Sequence, residues 1–246
     1  MSESYRPKPE ASWDRTISRT ELEKLRNNPL YEEPTGELKL GEISPSNPSK
    51  YGIYKGRHVI GRDEKINGGV YLGSGEREEI VIDDINSQSK ESYDKIYNSL
   101  WQKIQNRQIE QEKLGLSNNV KNGILSDVFE LVMDQMRYDG DFVSDASKEF
   151  KNQKINLSYF IDNKKGVCRH QALMAGYLLE RLKNEGYIDG DVSIDRNSVP
   201  GRGAHAWVRY KSATSGVTYI IDPAQNWAGR LDDAPGNWPY QRPEDL

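Results

Sequence analysis

A change of pattern in the last third of the chain constrains the fold most. A helical pattern over Cys168–Lys183 is followed by strand-like runs near Val192–Arg196, Ala204–Tyr210 and Val217–Asp222. Helices that precede a group of consecutive strands are typical of an α+β fold. The sequence therefore predicts a helix packed on an antiparallel sheet.

Three regions of different composition divide the chain. Residues 1–50 are rich in Pro, Ser, Glu and Lys, which predicts an extended, partly disordered N-terminal arm with one short helix near Ser18–Arg26. Residues 51–85 contain short β-type runs separated by glycine and charge, which predicts a small β-meander packed on the core. Residues 86–246 form the main domain, with an irregular tail after Pro223. Its first two helices are predicted at Ser89–Leu114 and Asn122–Tyr138.

Composition excludes several classes of partner. The net charge of −4 gives no electrostatic reason to bind nucleic acid or anionic lipid. The longest apolar stretch, Ala172–Leu179, is far shorter than the roughly 18 residues of a membrane span, and the N-terminus lacks the apolar core of a secretory signal. We therefore expect a cytoplasmic protein with no membrane or nucleic-acid partner, and leave export without a cleavable signal open. No phosphate-loop or calcium-loop pattern is present, so we expect no cofactor and no metal.

The single cysteine stands at the start of the strongest helical pattern. In the first turn of a helix, unpaired backbone N–H groups and the positive end of the dipole favour a thiolate at Cys168. Helical spacing places the sulfur on one stripe with Ala172, Ala175, Leu179 and Leu182, which faces the core. Because the two alanines are small, another element can approach the sulfur closely.

One of the three histidines is suited to act as a base toward this sulfur. His170 is two residues from Cys168 and points about 200° around the helix axis, so it cannot reach the sulfur. His58 lies in the β-type region with no partner signal. His205, in a later strand-like run, is therefore the candidate base.

An aspartate in the next run can orient that base. If the two runs pair symmetrically around residues 212–215, His205 lies opposite Asp222, with Cβ atoms about 4.5–5.5 Å apart. A slip of one residue would turn Asp222 to the other face of the sheet. Pro223 ends the strand and leaves the carboxylate at the rim of the sheet.

Three motifs in this order resemble the signature blocks of the transglutaminase-like superfamily, within the papain-like cysteine enzymes. They are GVCRHQAL at 166–173, GAHAWV at 203–208 and YIIDP at 219–223, and the match spans roughly residues 120–226. The resemblance implies a papain-like core and a catalytic domain over residues 86–246. It also implies a triad of Cys168 as nucleophile, His205 as base and Asp222 as the group that orients the base.

The resemblance further implies amide chemistry through a thioester on a protein or peptide substrate. Peptide hydrolysis, glutamine deamidation and crosslinking by acyl transfer all fit this chemistry. In such enzymes an upstream side chain often helps the backbone N–H of the cysteine to bind the oxyanion, and Trp101 and Gln135 are the candidates here. The alternative is a catalytically silent member of the same fold that binds peptides or proteins.

Overall fold

The described part of the chain contains six α-helices and fifteen strands. The computed structural model describes residues 12–13, 16–17, 19–33, 52–54, 57–58, 60–61, 66, 70–72, 78–116, 123–151, 153–236, 238–242 and 245. The helices are α1 (Arg19–Leu25), α2 (Ser87–Lys113), α3 (Ile124–Gln135), α4 (Gly140–Glu149), α5 (Leu157–Asn163) and α6 (Cys168–Asn184). The strands are β1 (Ser12–Trp13), β2 (Thr16–Ile17), β3 (Tyr31–Glu32), β4 (Ile53–Tyr54), β5 (Arg57–His58), β6 (Ile60–Gly61), β7 (Val70–Leu72), β8 (Glu79–Val81), β9 (Arg137–Tyr138), β10 (Lys154–Asn156), β11 (Lys165–Gly166), β12 (Asp191–Val199), β13 (Gly203–Lys211), β14 (Thr218–Asp222) and β15 (Trp227–Arg230).

Helix α6 packs on the largest sheet, whose five strands run antiparallel in the order β1-β12-β13-β14-β15. Ala172 and Ala175 of this helix are fully buried. Gly176 allows a closer approach, since a Cβ atom there would lie 2.7 Å from the side chains of both Ile194 and Ile66. The described chain is therefore a mixed structure of helices and an antiparallel sheet, which is compatible with the predicted α+β class.

The strands near the N-terminus do not form the predicted single meander. Adjacent strands pair antiparallel in β4–β5 and in β7–β8. However, β6 pairs in parallel with β2, and β8 pairs in parallel with β10. The strands of 51–85 are thus divided among separate sheets, because their backbone groups find partners both earlier and later in the chain. Residues 1–11 and 34–50 of the predicted arm lie outside the described residues.

The main helices lie where apolar spacing predicts them, and the short helix of the arm is confirmed as α1. Helix α3 is the exception, because it ends at Gln135 rather than at Tyr138. The residues that follow it leave the helix to form β9, which pairs with β11. The predicted start of this helix, Asn122, lies outside the described residues. Among the helices that are described, none combines the length and the apolar character needed to cross a membrane.

The face of the sheet opposite α6 carries a second apolar cluster, built in part by the end of the chain. Val208 packs into the core with α6, whereas its neighbour Trp207 points to the other face. The cluster on that face consists of Val199, Trp207, Ile220, Leu231, Trp238 and Tyr240. The prediction of an irregular tail is therefore wrong for Trp227–Arg230, which form β15, and right for residues 234–236 and 238–242, which form no helix or strand. The tail adds the edge strand β15 and then covers the sheet, because its aromatic side chains are buried there.

Candidate active site

Cys168 is the first residue of α6, as the sequence predicts, and the turn before it is tied to the end of α3. The N–H groups of Arg137 and Asp139 donate to the carbonyls of Lys164 and Gly166 at 2.9 and 2.8 Å. This pairing of β9 with β11 holds the backbone that leads into the helix. Cys168 itself is half-buried, so part of the residue is open to solvent.

His205 lies between Cys168 and Asp222. The imidazole lies beside the thiol of Cys168 and lowers the pKa of that thiol, and its Nε2 lies 2.6 Å from Oδ2 of Asp222. Since Nε2 is engaged by the carboxylate, Nδ1 is the ring nitrogen left for the sulfur. The backbone N–H of Ala206 also favours the thiolate form of Cys168. The structure thus brings together the three side chains that the sequence singles out.

The pairing of β13 with β14 differs from the predicted register. Val208 pairs with Ile221, so Asp222 lies diagonal to His205 instead of directly opposite it. The predicted direct opposition was wrong because the connecting loop, 212–217, is longer than expected. The shift is an even number of residues, so Asp222 stays on the same face of the sheet, and a diagonal neighbour remains within reach of an imidazole.

Asp222 accepts hydrogen bonds through both carboxylate oxygens. Oδ2 receives the Nε2–H of His205 and also the hydroxyl of Tyr240, at 2.9 Å. Oδ1 receives the backbone N–H of Gln225 at 3.2 Å, within the 3₁₀ turn Pro223–Gln225. Asp222 is therefore a turn-forming residue and the partner of His205 at the same time, with the two roles divided between its two oxygens.

The charges of Cys168 and His205 support each other. Burial raises the pKa of the Cys168 thiol, but the hydrogen bond and positive charge of His205, together with the charge of Arg169, outweigh burial and lower it. Burial lowers the pKa of His205, but Asp222 and the thiolate outweigh it and raise this pKa to about 9. The two shifts favour the ion pair of a thiolate and an imidazolium over the neutral pair.

A buried carboxylate from the N-terminal part of the chain holds the first turn of α6. Glu78 receives two hydrogen bonds from the Arg169 guanidinium, at 2.6 and 2.7 Å. Its Oε1 also lies 2.9 Å from Nε2 of His170. The other ring nitrogen of His170, Nδ1, accepts the N–H of Val167 at 3.1 Å. His170 thus caps the helix and is directed away from the sulfur, as predicted.

The protonation states of this cluster follow from its burial. Burial tends to raise the pKa of Glu78, but the hydrogen bond from His170 and the charge of Arg169 outweigh it and lower the pKa to about 2. Burial lowers the pKa of His170 to about 4. At neutral pH the cluster therefore consists of a carboxylate, a guanidinium and a neutral imidazole.

The two candidates for the oxyanion side chain lie in different places. Trp101 packs edge-on against Tyr187, with ring centroids 4.5 Å apart, beyond the C-terminal end of α6. That end is about 25 Å from Cys168 along the helix, which rules Trp101 out. Gln135 is the last residue of α3 and precedes Met136, whose sulfur contacts the turn before Cys168 at Gly166. Gln135 therefore stays a candidate.

Two residues around the triad were missed by sequence reasoning. Glu78 is far from α6 in sequence, and no local pattern marks it as a partner of that helix. The sequence did carry a signal for Tyr240, because the aromatic residues of the tail indicate that the tail packs against the core.

Within the described residues, no group of three His, Cys, Asp or Glu side chains is arranged to hold a metal ion. No protein-family model, no curated protein and no solved structure matches this chain.

Proposed function

We propose that this chain is a transglutaminase-like cysteine hydrolase or acyltransferase with a papain-like core, acting on amide bonds of proteins or peptides. The observation that carries the proposal is the grouping of three side chains, with the His205 imidazole beside the Cys168 thiol and hydrogen-bonded to Asp222. A nucleophile, its base and the group that orients the base are what covalent catalysis at an amide requires. The three sequence motifs support the same reading.

The proposed reaction has two steps. The Cys168 thiolate attacks the amide carbonyl carbon, the C–N bond breaks, and the proton on Nδ1 of His205 passes to the leaving amine or ammonia. The product is a thioester on Cys168. His205 then takes a proton from water or from a second amine, which attacks the thioester and releases the thiolate. Asp222 keeps the imidazole oriented through both proton transfers.

The first turn of α6 supplies a place for the oxyanion. Helix geometry leaves the N–H groups of the first residues without partners inside the helix, and Cys168 is the first residue of α6. A carbonyl oxygen bound there gains a hydrogen bond as negative charge develops in the transition state. In this proposal, Gln135 from the end of α3 is the side chain that supplies a second donor.

Two features favour catalysis over silent peptide binding. Cys168 is half-buried rather than fully buried, which is compatible with the approach of a substrate. The site also keeps a depressed pKa of Cys168 and a raised pKa of His205, an arrangement of charge that peptide binding alone does not need.

We expect Cys168 to react with iodoacetamide well below pH 8. Because the pKa of Cys168 is lowered, a larger fraction of thiolate is present at a given pH than in a free cysteine, whose pKa is about 8.5. The pKa of His205 is raised to about 9, so the rate profile should change slope again near pH 9, where the imidazolium loses its proton. The measurement is the rate of alkylation against pH, followed by mass spectrometry of the intact protein.

N-acetylcysteine provides the reference for this measurement, and Cys168 is the single cysteine of the chain, so every alkylation event reports on it. A profile that coincides with that of N-acetylcysteine would contradict the proposed function.

The reaction type is identified with a cell lysate. Treatment with the wild-type protein, compared with Cys168→Ala, should produce a change that depends on the sulfur. New peptide termini indicate hydrolysis of the main chain, conversion of glutamine to glutamate indicates deamidation, and new glutamine–amine crosslinks indicate acyl transfer. Identical peptide maps for the two proteins, over a range of acceptor amines, would count against an enzyme.

A further inference from the structure

We infer that Tyr240, contributed by the last residues of the chain, is a positioning residue of the triad. Its hydroxyl donates to Oδ2 of Asp222 at 2.9 Å, the same oxygen that lies 2.6 Å from Nε2 of His205. Tyr240 therefore binds the same carboxylate oxygen as His205, and it acts on the imidazole through Asp222. The inference rests on the proposed function and extends it to a part of the chain that lies outside the three motifs.

Tyr240 is held in place by its neighbours in the chain. The indole of Trp238 donates to the side-chain oxygen of Asn197 at 2.9 Å, and the Asn197 amide donates back to the carbonyl of Pro239 at 2.9 Å. Asn197 pairs directly with His205 in the sheet. The ring of Trp238 packs edge-on against the ring of His205, with centroids 4.8 Å apart. The backbone around Tyr240 is thus fixed relative to the catalytic histidine.

Two ion pairs hold the residues that follow. The Arg242 guanidinium donates to both carboxylate oxygens of Asp195 at 2.9 and 2.6 Å. Asp245 accepts two hydrogen bonds from Arg209, at 2.8 and 2.7 Å. Asp195 and Arg209 belong to β12 and β13, the strands that also carry Asn197 and His205. Residues 238–242 and 245, here called the C-terminal segment, are therefore bound to the two strands beside the triad.

The direction of the hydrogen bond is determined by the environment of the phenol. Tyr240 is fully buried. Burial, and then the charge of Asp222, raise the pKa of Tyr240, so the hydroxyl keeps its proton and donates to the carboxylate. Two other titratable groups lie in this part of the site. His205 of β13 binds the Asp222 carboxylate, and Cys168 of α6 interacts with His205. A donor that keeps its proton stabilises the negative charge on Oδ2 of Asp222.

The expected effect of removing the hydroxyl is electrostatic. Without Tyr240 as a donor, the negative charge on Oδ2 is shared with fewer groups, so Asp222 attracts the imidazolium of His205 more strongly. The pKa of His205 should then rise. A hydrogen bond to a charged group is strong enough to move this pKa upward by about 0.5 to 1 unit.

The test is the pH profile of iodoacetamide alkylation in Tyr240→Phe, together with an NMR titration of the His205 ring. The phenylalanine keeps the aromatic packing and removes only the hydroxyl. The matched control is Tyr210→Phe, because the Tyr210 hydroxyl also bonds a carboxylate, Asp189, at 3.0 Å, but away from the triad. We expect the inflection near pH 9 to move upward in Tyr240→Phe and to stay at the wild-type position in Tyr210→Phe.

The outcomes separate this inference from the proposed function. If wild type reacts rapidly at neutral pH and Tyr240→Phe has the same inflection as wild type, Tyr240 only packs against the sheet and the inference is overturned. If wild type itself reacts no faster than N-acetylcysteine, the proposed function fails, whatever Tyr240 does. Thermal unfolding of both variants shows whether a change in the profile accompanies a loss of stability. An upward shift of the inflection in Tyr240→Phe, with a melting temperature equal to that of Tyr210→Phe, supports the inference, and a downward shift overturns it.

Discussion

Replacement of His205 by alanine is expected to slow alkylation of Cys168 by iodoacetamide about 100-fold at pH 6. Burial raises the pKa of Cys168, and the hydrogen bond and charge of His205 lower it by more. Without the imidazolium, burial dominates and the sulfur stays a neutral thiol at this pH. The rate is measured by mass spectrometry of the intact chain under a large excess of reagent.

The same substitution should reduce turnover of an amide substrate by a larger factor, because His205 is also the group that gives and takes the proton in the proposed reaction. His58→Ala is the control, since it removes a histidine of β5 that is not part of the triad. Circular dichroism of both variants establishes that the fold is intact, which matters because His205 is buried. Equal alkylation rates at pH 6 for wild type and His205→Ala would show that His205 does not activate the sulfur.

Replacement of Glu78 by alanine is expected to lower the free energy of unfolding by about 3 kcal/mol or more. The Glu78 side chain is 1% exposed and the Arg169 side chain 15%, so the substitution leaves a largely buried guanidinium without its carboxylate. It also removes one of the two acceptors of the Ser147 hydroxyl, which lies 2.9 Å from Glu78 and 2.8 Å from the carbonyl of Val143. Urea denaturation of the two proteins at neutral pH measures the difference.

An exposed ion pair of the same chain gives the matched control. The side chains of Lys148 and Asp145 are 74% and 76% exposed, and Asp145→Ala should cost less than about 1 kcal/mol. Combining Arg169→Ala with Glu78→Ala should cost less than the sum of the two single changes, because the two residues share one interaction. If Glu78→Ala is no more destabilising than Asp145→Ala, the buried cluster does not hold the start of α6.

The candidate triad could be found from the sequence because each of its residues lies in a local pattern that predicts a helix or a strand. The helix that begins at Cys168 is visible from its spacing, and the first turn of a helix favours a thiolate wherever it occurs. His170 could be excluded from helix geometry alone. The alternation of side chains in a strand placed His205 and Asp222 on one face, and that conclusion survives the two-residue error in register because only an odd shift would reverse the face.

The structural features that were predicted wrongly or missed from the sequence share a physical cause. The length of the 212–217 loop, the end of α3 at Gln135 and the division of the N-terminal strands among several sheets depend on which backbone groups meet in three dimensions. The bond from Glu78 to Arg169 and the bond from Tyr240 to Asp222 join side chains that only the fold brings together. A periodic pattern records the direction of a side chain relative to its own element, and it carries no information on a distant partner.

By itself the sequence determined the helix at Cys168, the strands that carry the histidine and the aspartate, and the face of the sheet that those two residues share. Each of these depends on residues close together in the chain, where backbone geometry sets the outcome. Only the tertiary structure decided that a carboxylate at Glu78 holds the first turn of α6 and that the C-terminal segment binds beside the triad. Those contacts form because burial leaves charged and polar groups in need of partners, and the folded chain supplies them from distant segments.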